Sequence, residues 1–304
     1  MFKGEDIVDS IFTFEETPPL NSEFELFGIE DLNFMLNSGS YFVVQIGIVI
    51  YFSVRKLLNR VAVRNADKKW ARKLGQWAFM PSYWKSMKQA LLKLLLESYF
   101  DICFCTLINV IALSIALKEG HLDKYFGSFS DALCTSITLF YMLVLVLFPA
   151  WGAVSIMRNF KKLETSTLKS RFGVSTEDLA TTSVNQALFN IIFMARRFLN
   201  VAVLVFVDWS FAQCQLLMIF STASFIYRFT ARPYKSQFQN RVELFNELTI
   251  LLCSHICNQF LDIAIHLDTR DILGWVLIGL AVFNILVNLA LIGLRVVMDC
   301  WKTR

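Results

Sequence analysis

Seven long apolar runs alternate with shorter polar segments along this chain of 304 residues. A helix needs about 20 apolar residues to cross the hydrocarbon core of a bilayer, and most of the runs meet that length. The runs cover residues 32–54, 99–117, 133–157, 187–207, 211–227, 244–265 and 272–298. The pattern predicts an all-α, polytopic bundle of about seven transmembrane helices.

Basic residues collect on one side of this predicted bundle if successive connections alternate across the membrane. That side receives 23 of the 29 Lys and Arg, and the other side holds only Lys3, Lys118, Lys124 and Arg270. Such a bias follows the positive-inside rule. We therefore expect an acidic extracellular or lumenal tail over 1–31, a membrane domain over 32–304 and a cytoplasmic C-terminus.

The longest hydrophilic connection, within 55–98, combines basic residues with Trp70, Trp77 and Trp84. Aromatic side chains beside Lys and Arg are typical of an amphipathic segment lying at a membrane surface, whereas a solvated linker would not explain three tryptophans. The expected partner is the bilayer, including anionic lipids on the cytoplasmic side. No nucleic-acid partner is expected, because the basic residues line membrane exits.

Composition excludes an ordinary soluble enzyme. The chain is 56% hydrophobic and 14% aromatic, with 12 Gly and 5 Pro. It has no phosphate-binding loop, nucleophile elbow or His-Glu-x-x-His motif. The seven cysteines give no disulfide framework, and the three histidines add too few ligands for a metal site. We expect no enzymatic activity, no cofactor and no metal.

Polar residues inside the apolar runs are the candidate functional residues, because a charge inside the hydrocarbon is costly and needs a partner. In the sixth run they recur at steps of three, four or seven and share one helical face, from Asn240 to Asp262. The predicted intramembrane network comprises Glu97, Asp101, Arg196, Arg197, Asp208, Glu243, Asn246, Glu247, Asn258, Asp262, Asn284 and Asn288.

Two interpretations of this network remain open. In the first, Arg196 or Arg197 pairs with an acidic residue (Glu97, Asp101 or Glu247), and the asparagines hydrogen-bond between helices. In the second, the acidic groups of the sixth run line a hydrated cation path. Nothing in the sequence shows that the polar faces meet, so we favour internal packing.

Pro233 predicts a break between the fifth and sixth runs, because proline cannot continue a helix without losing a hydrogen bond. We expect one helix to end near Arg232 and the next to begin near Ser236, with Gln239 in a capping-box position. If the polar face is structural, Glu243 and Asn246 should then bind Arg232, Arg241 or nearby backbone.

The same region carries a resemblance to a known family. Its residues are Arg232, Pro233, Asn240, Glu243, Phe245, Asn246 and Glu247. They resemble the signature of a TRP-like membrane domain that closes many large ciliate and other protist surface proteins. That domain is distantly similar to fungal TRP-like and polycystin-like channels. Weaker matches in 95–99, 171–173, 195–197 and 274–289 extend the resemblance over most of the chain.

The resemblance implies a multi-span helical domain and possible cation conduction, but two features depart from it. The connection 266–271 is too short for a re-entrant pore loop. A short acidic tail also stands where the family usually has a long cysteine-rich ectodomain. We therefore expect a membrane-embedded subunit or anchor of a larger assembly with protein partners, at the plasma or ciliary membrane. The alternative is a cation-conducting TRP-like or polycystin-like channel subunit.

Overall fold

The computed structural model describes residues 34–65, 67–79, 82–121, 123–160, 179–261 and 267–302. Within these ranges all the regular elements are helices, accompanied by one isolated antiparallel bridge between Leu179 and Tyr234. The all-α class is therefore confirmed for this part of the chain. The predicted acidic tail, the basic connection after 160 and Asp262 lie outside the described residues.

Eleven helices are described in these ranges. In chain order they are α1 Phe34–Arg64, α2 Lys69–Ala78, α3 Tyr83–Glu97, α4 Tyr99–Glu119, α5 Asp123–Phe126, α6 Phe129–Asn159, α7 Val184–Ala187, α8 Phe189–Phe206, α9 Ser210–Ala231, α10 Gln237–Gln259 and α11 Leu267–Lys302.

Six of these helices are long and apolar enough to cross a membrane: α1, α4, α6, α8, α9 and α11. They indicate an integral membrane protein. Each coincides with one of the predicted apolar runs. The remaining run, 244–265, forms most of α10, which is not among the six. Ionisable residues interrupt the first half of α10, where Arg241, Glu243 and Glu247 lie within two turns.

The described helices fall into two compact units. The described residues within 34–160 and 190–201 form the first unit, and those within 179–189 and 202–302 form the second. The boundary passes through α8, whose residues 190–201 belong to the first unit.

The first unit is built on the packing of α1, α4 and α6. Its core includes the fully buried side chains of Tyr99, Leu107 and Leu145. The Tyr99 hydroxyl donates a hydrogen bond of 2.7 Å to the Leu145 carbonyl, which ties the first turn of α4 to the middle of α6. Gly152 lets α8 approach α6, because a Cβ there would lie 2.7 Å from the Ile191 side chain.

The basic connection within 55–98 folds into the end of α1 and two further helices that pack on α1. Helix α2 buries Ala71 and Ala78 and exposes Trp70 and Trp77. The Arg55 guanidinium lies over the Trp77 ring at 5.4 Å. It also donates a 2.8 Å hydrogen bond to the Trp77 carbonyl. The ammonium of Lys56 lies 4.9 Å from the Trp84 ring centroid. Helix α2 therefore has one buried face of small residues and one exposed face that carries tryptophan.

In the second unit, α10 packs against α9 on one side and α11 on another. Helix α9 and helix α10 are joined by the five residues 232–236, which we call the elbow. Most of the predicted polar residues of α10 face its two neighbours, and the following section describes these contacts.

Candidate functional site

The elbow has the geometry that the sequence predicts. Helix α9 ends at Ala231, and Arg232 adopts a left-handed backbone conformation with φ of 46°. Helix α10 then begins at Gln237, and the Ser236 side chain accepts a hydrogen bond from the Gln239 backbone N–H. The left-handed residue followed by proline ends the helix sharply, since neither favours its continuation. The break predicted from Pro233 is confirmed.

Asn240 stabilises the elbow through two hydrogen bonds to its backbone. Its side-chain oxygen accepts from the Tyr234 backbone N–H at 2.9 Å, and its amide donates to the Tyr234 carbonyl at 2.8 Å. One side chain therefore satisfies both backbone groups of a residue that has no helical partners. These two bonds explain the spacing between Arg232-Pro233-Tyr234 and Asn240 from the structure alone, without reference to any family.

The segment before α8, residues 179–187, binds the elbow and the end of α9 within the same unit. The Ala180 N–H donates to the Pro233 carbonyl at 2.7 Å, next to the bridge between Leu179 and Tyr234. Gln186, which forms a capping box with Ser183, donates to the Ala231 carbonyl at 3.0 Å. These bonds satisfy carbonyls that the end of α9 would otherwise leave unpaired.

Arg228, one turn before the end of α9, binds two carboxylates of α10. It forms ion pairs with Glu243 and, at 2.9 Å, with Glu247. Glu247 is only 2% exposed and Arg228 only 7%. The Arg228 guanidinium also lies 5.1 Å from the Phe189 ring centroid. A charge removed this far from water is stable only with an opposite charge beside it.

The predicted partners of these acidic residues need correction. We expected Glu243 to bind Arg232 or Arg241, but it binds Arg228, because the left-handed Arg232 already lies outside the packed face of α9. Glu247 likewise pairs with Arg228. Arg228 was not among the site residues predicted from the sequence. The signal for it in the sequence is its position directly after the fifth apolar run, five residues before Pro233.

A second polar cluster joins α10 to α11. We call Asn246, Thr249, Asn284 and Asn288 the Asn cluster. The side-chain oxygen of Asn246 accepts from Asn284 at 3.0 Å and from Asn288 at 2.8 Å. Asn284 also donates to the Thr249 hydroxyl oxygen at 3.2 Å. The expectation that Asn246 binds Arg232 or Arg241 is therefore wrong, and its partners are Asn284 and Asn288, two members of the predicted intramembrane network.

Two further polar residues of α10, Ser254 and Asn258, face α9. Gln215 donates to the Asn258 side-chain oxygen at 2.8 Å, and the hydroxyls of Ser221 and Ser254 lie 3.4 Å apart. Beside them is a cavity of about 430 Å³ lined by residues of α9, α10 and α11, among them Cys214, Asn246, Cys253, Ser254, Cys257 and Asn284. The polar face predicted on this helix therefore meets two neighbouring helices.

In the first unit, the Arg197 side chain contacts the start of the second predicted run, and the groups that it binds there are backbone carbonyls. It donates to the carbonyls of Leu96, at 3.2 Å, and Glu97, at 3.4 Å, and its guanidinium lies 4.2 Å from the Phe193 ring centroid. The adjacent Arg196 is half-buried. The Glu97 carboxylate lies 4.0 Å from the Lys93 ammonium.

Asp101 has a partner that was not predicted from the sequence. It accepts a hydrogen bond of 2.5 Å from the Tyr41 hydroxyl of α1. A similar contact joins Tyr141 of α6 to Gln45 of α1. Asp208 is exposed in the connection between α8 and α9.

The described residues contain no group of three or more His, Cys, Asp or Glu side chains that could hold a metal ion. Cys103, Cys105, Cys134, Cys214, Cys253 and Cys257 are free thiols.

Comparison with known proteins adds no relative. No family model matches the chain, and neither a curated protein nor a solved structure matches it. The interpretation of the site therefore depends on its own geometry.

Proposed function

We propose that this chain is a non-enzymatic, membrane-embedded subunit or anchor of a larger assembly at a cell-surface or ciliary membrane. Its membrane domain has seven spans, with the N-terminus outside or lumenal and the C-terminus cytoplasmic. The observation that carries this proposal is that polar groups on α10 pair with polar groups on α9 and α11. Such pairing is the chemistry of helix–helix attachment in a membrane.

Two carboxylates of α10 are paired with an arginine of α9. Arg228 opposes Glu243 and Glu247, and the Asn cluster satisfies much of its own hydrogen-bonding capacity. A conduction path needs acidic groups that can exchange protein ligands for passing ions. Glu247, buried and held at 2.9 Å by a guanidinium, is poorly suited to that task.

The same contacts support α10 as the seventh span. Its paired polar residues face α9 or α11, whereas Leu248, Ile250 and Leu252 are exposed on the remaining surface. The low hydropathy of α10 then results from polar residues that are paired inside the bundle, and not from exposure of the helix to water, because polar residues within spans face the bundle interior.

The amphipathic helices α2 and α3 support contact with anionic lipid. Between residues 55 and 93 there are eleven Lys and Arg against the single Asp67. Among the described residues of this segment, the ion pair between Lys93 and Glu97 is the one that involves these cations. The remaining positive charge and the exposed Trp77 and Trp84 suit the headgroup region of a cytoplasmic leaflet.

A second candidate is a cation-conducting channel subunit of the TRP-like class. The resemblance in 232–247 favours it, and the cavity beside Asn246 and Asn284 offers a partly polar space within the second unit. The elbow contacts explain much of that motif by packing alone. We therefore place the channel second.

Cation flux into liposomes that contain the purified protein tests the two candidates. We expect no flux above that of empty liposomes. Flux that is lost in Glu247→Gln or Asp262→Asn, but kept in Asp208→Asn, would contradict the anchor and support the channel. The oligomeric state gives an independent measurement: a homomeric ring of the 35.0 kDa chain would also favour a central pore.

A further inference from the structure

The cavity of about 430 Å³ in the second unit has the size and shape of a binding site for one small molecule. Pockets that hold such molecules have volumes of about 300–1,000 Å³. Asn246 and Asn284 line one end of the cavity, and Cys214 and Cys257 line the other. At 1.5 Å per residue, Asn246 and Cys257 lie about 16 Å apart along α10. We call this elongated space the three-helix cavity.

The walls of the three-helix cavity are mainly apolar and include Leu217, Ile250 and Ile285. Among the described residues, no Asp, Glu, Lys, Arg or His side chain lines it. Ile250 and Ile285 are also exposed, so the cavity opens on the apolar surface of α10 and α11. A charged molecule would find no counter-charge inside, whereas a neutral, apolar molecule could enter from a bilayer without that cost.

The Asn246 end of the cavity retains one hydrogen-bond donor and one acceptor. An asparagine amide carries two N–H groups, and its oxygen can accept twice. Within the described part of the chain, the Asn246 amide nitrogen donates once, to the Asn288 oxygen at 3.4 Å. The Asn284 oxygen accepts once, from Asn288 at 3.1 Å. A hydroxyl group both donates and accepts, and it matches this pair.

We infer that the three-helix cavity binds one neutral, elongated, apolar molecule that ends in a hydroxyl group, the chemistry shared by sterols and long-chain alcohols. The hydroxyl accepts from the Asn246 amide and donates to the Asn284 oxygen. The apolar body extends past Ile250 towards Cys257. This binding function goes beyond the proposed anchor and does not depend on whether the chain also conducts ions.

Photolabelling of the full chain in liposomes tests the inference. The probe is a long-chain alcohol that carries a photoreactive diazirine in its chain, and mass spectrometry locates the adduct. We expect saturable labelling within residues 246–257. Cholesterol or dodecanol should reduce this labelling about tenfold, whereas the hydroxyl-free analogues cholestane and dodecane at equal concentration should have little effect. The alcohol that competes more strongly identifies the body that the cavity accepts.

Variants of the chain locate the binding. Ala281 is exposed and lines the cavity, so Ala281→Phe should obstruct it and reduce labelling about tenfold without changing an asparagine. Ala290→Phe is the matched control and should label as the wild type does, because Ala290 is exposed on the same helix but does not line the cavity. Asn246→Leu should abolish the advantage of the alcohols over the hydrocarbons.

Two results would overturn the inference. The first is equal competition by the alcohols and their hydroxyl-free analogues in the wild-type chain, since the polar end would then have no role. The second is unchanged labelling in Ala281→Phe. Both measurements use protein that elutes as a monodisperse size-exclusion peak. Cation flux would contradict the anchor function, but it would leave these labelling results as the separate test of the cavity.

Discussion

Loss of the Arg228 side chain should be among the most damaging single changes in the second unit. The guanidinium lies 2.9 Å from Glu247, and both side chains are almost fully buried. At that distance two unit charges attract by about 6 kcal/mol for an effective dielectric constant of about 20. Desolvation offsets part of this. Glu243 is 32% exposed and contributes less, because water screens it.

The substitution Arg228→Met keeps an unbranched side chain but leaves Glu247 as a buried, unopposed carboxylate. Removing one partner of a buried ion pair costs about 3–5 kcal/mol. We expect a fall in melting temperature on the order of 10 °C, measured in detergent by the loss of the monodisperse size-exclusion peak on heating. Arg241→Met is the control, because Arg241 is exposed at the start of α10.

A compensated variant separates charge from packing. Replacing Glu243 and Glu247 by glutamine in the Arg228→Met background removes the unopposed charges and should restore at least half of the lost melting temperature. Equal melting temperatures for Arg228→Met and Arg241→Met would refute the reasoning. That result would mean that Glu247 finds another counter-charge or becomes protonated at little cost.

Two further predictions concern the elbow and the topology. Asn240→Ala removes the Asn240 hydrogen bonds to both backbone groups of Tyr234, which should cost about 1–3 kcal/mol of stability. Gln237→Ala, at an exposed neighbouring site, is the control and should be nearly neutral. Equal effects of the two substitutions would show that Asn240 does not stabilise the elbow. In a chain whose native cysteines are replaced, cysteine introduced at Lys118 or Thr269 should react with an impermeant reagent added to intact cells, and cysteine at Asp67 should not. Reaction at Asp67 would contradict the seven-span orientation.

The positions of the long helices follow from the sequence because they depend on local and additive properties. An apolar run of sufficient length must form a helix in a membrane, since hydrocarbon offers its backbone no hydrogen bonds. The elbow is local for the same reason: Pro233 and Ser236 act on backbone within a few residues of themselves. The polar face of α10 follows from helical periodicity alone.

The partners of the polar side chains depend on the tertiary structure. Periodicity places Glu247 and Asn246 on α10, but it does not say which neighbour each one faces. That choice depends on how α9 and α11 pack against α10, and packing brings Arg228 to the carboxylates and Asn284 and Asn288 to Asn246. The sequence places Arg228 only among the basic residues near a membrane exit.

The partner of Asp101 is likewise decided by packing. The apolar run 99–117 places Asp101 near the end of a predicted span. The packing of α1 against α4 brings the Tyr41 hydroxyl to that carboxylate. Hydropathy and periodicity describe one segment at a time, whereas a contact depends on how two helices pack. By itself, then, the sequence determined which segments form helices and which of their faces are polar, and the tertiary structure decided which polar groups meet.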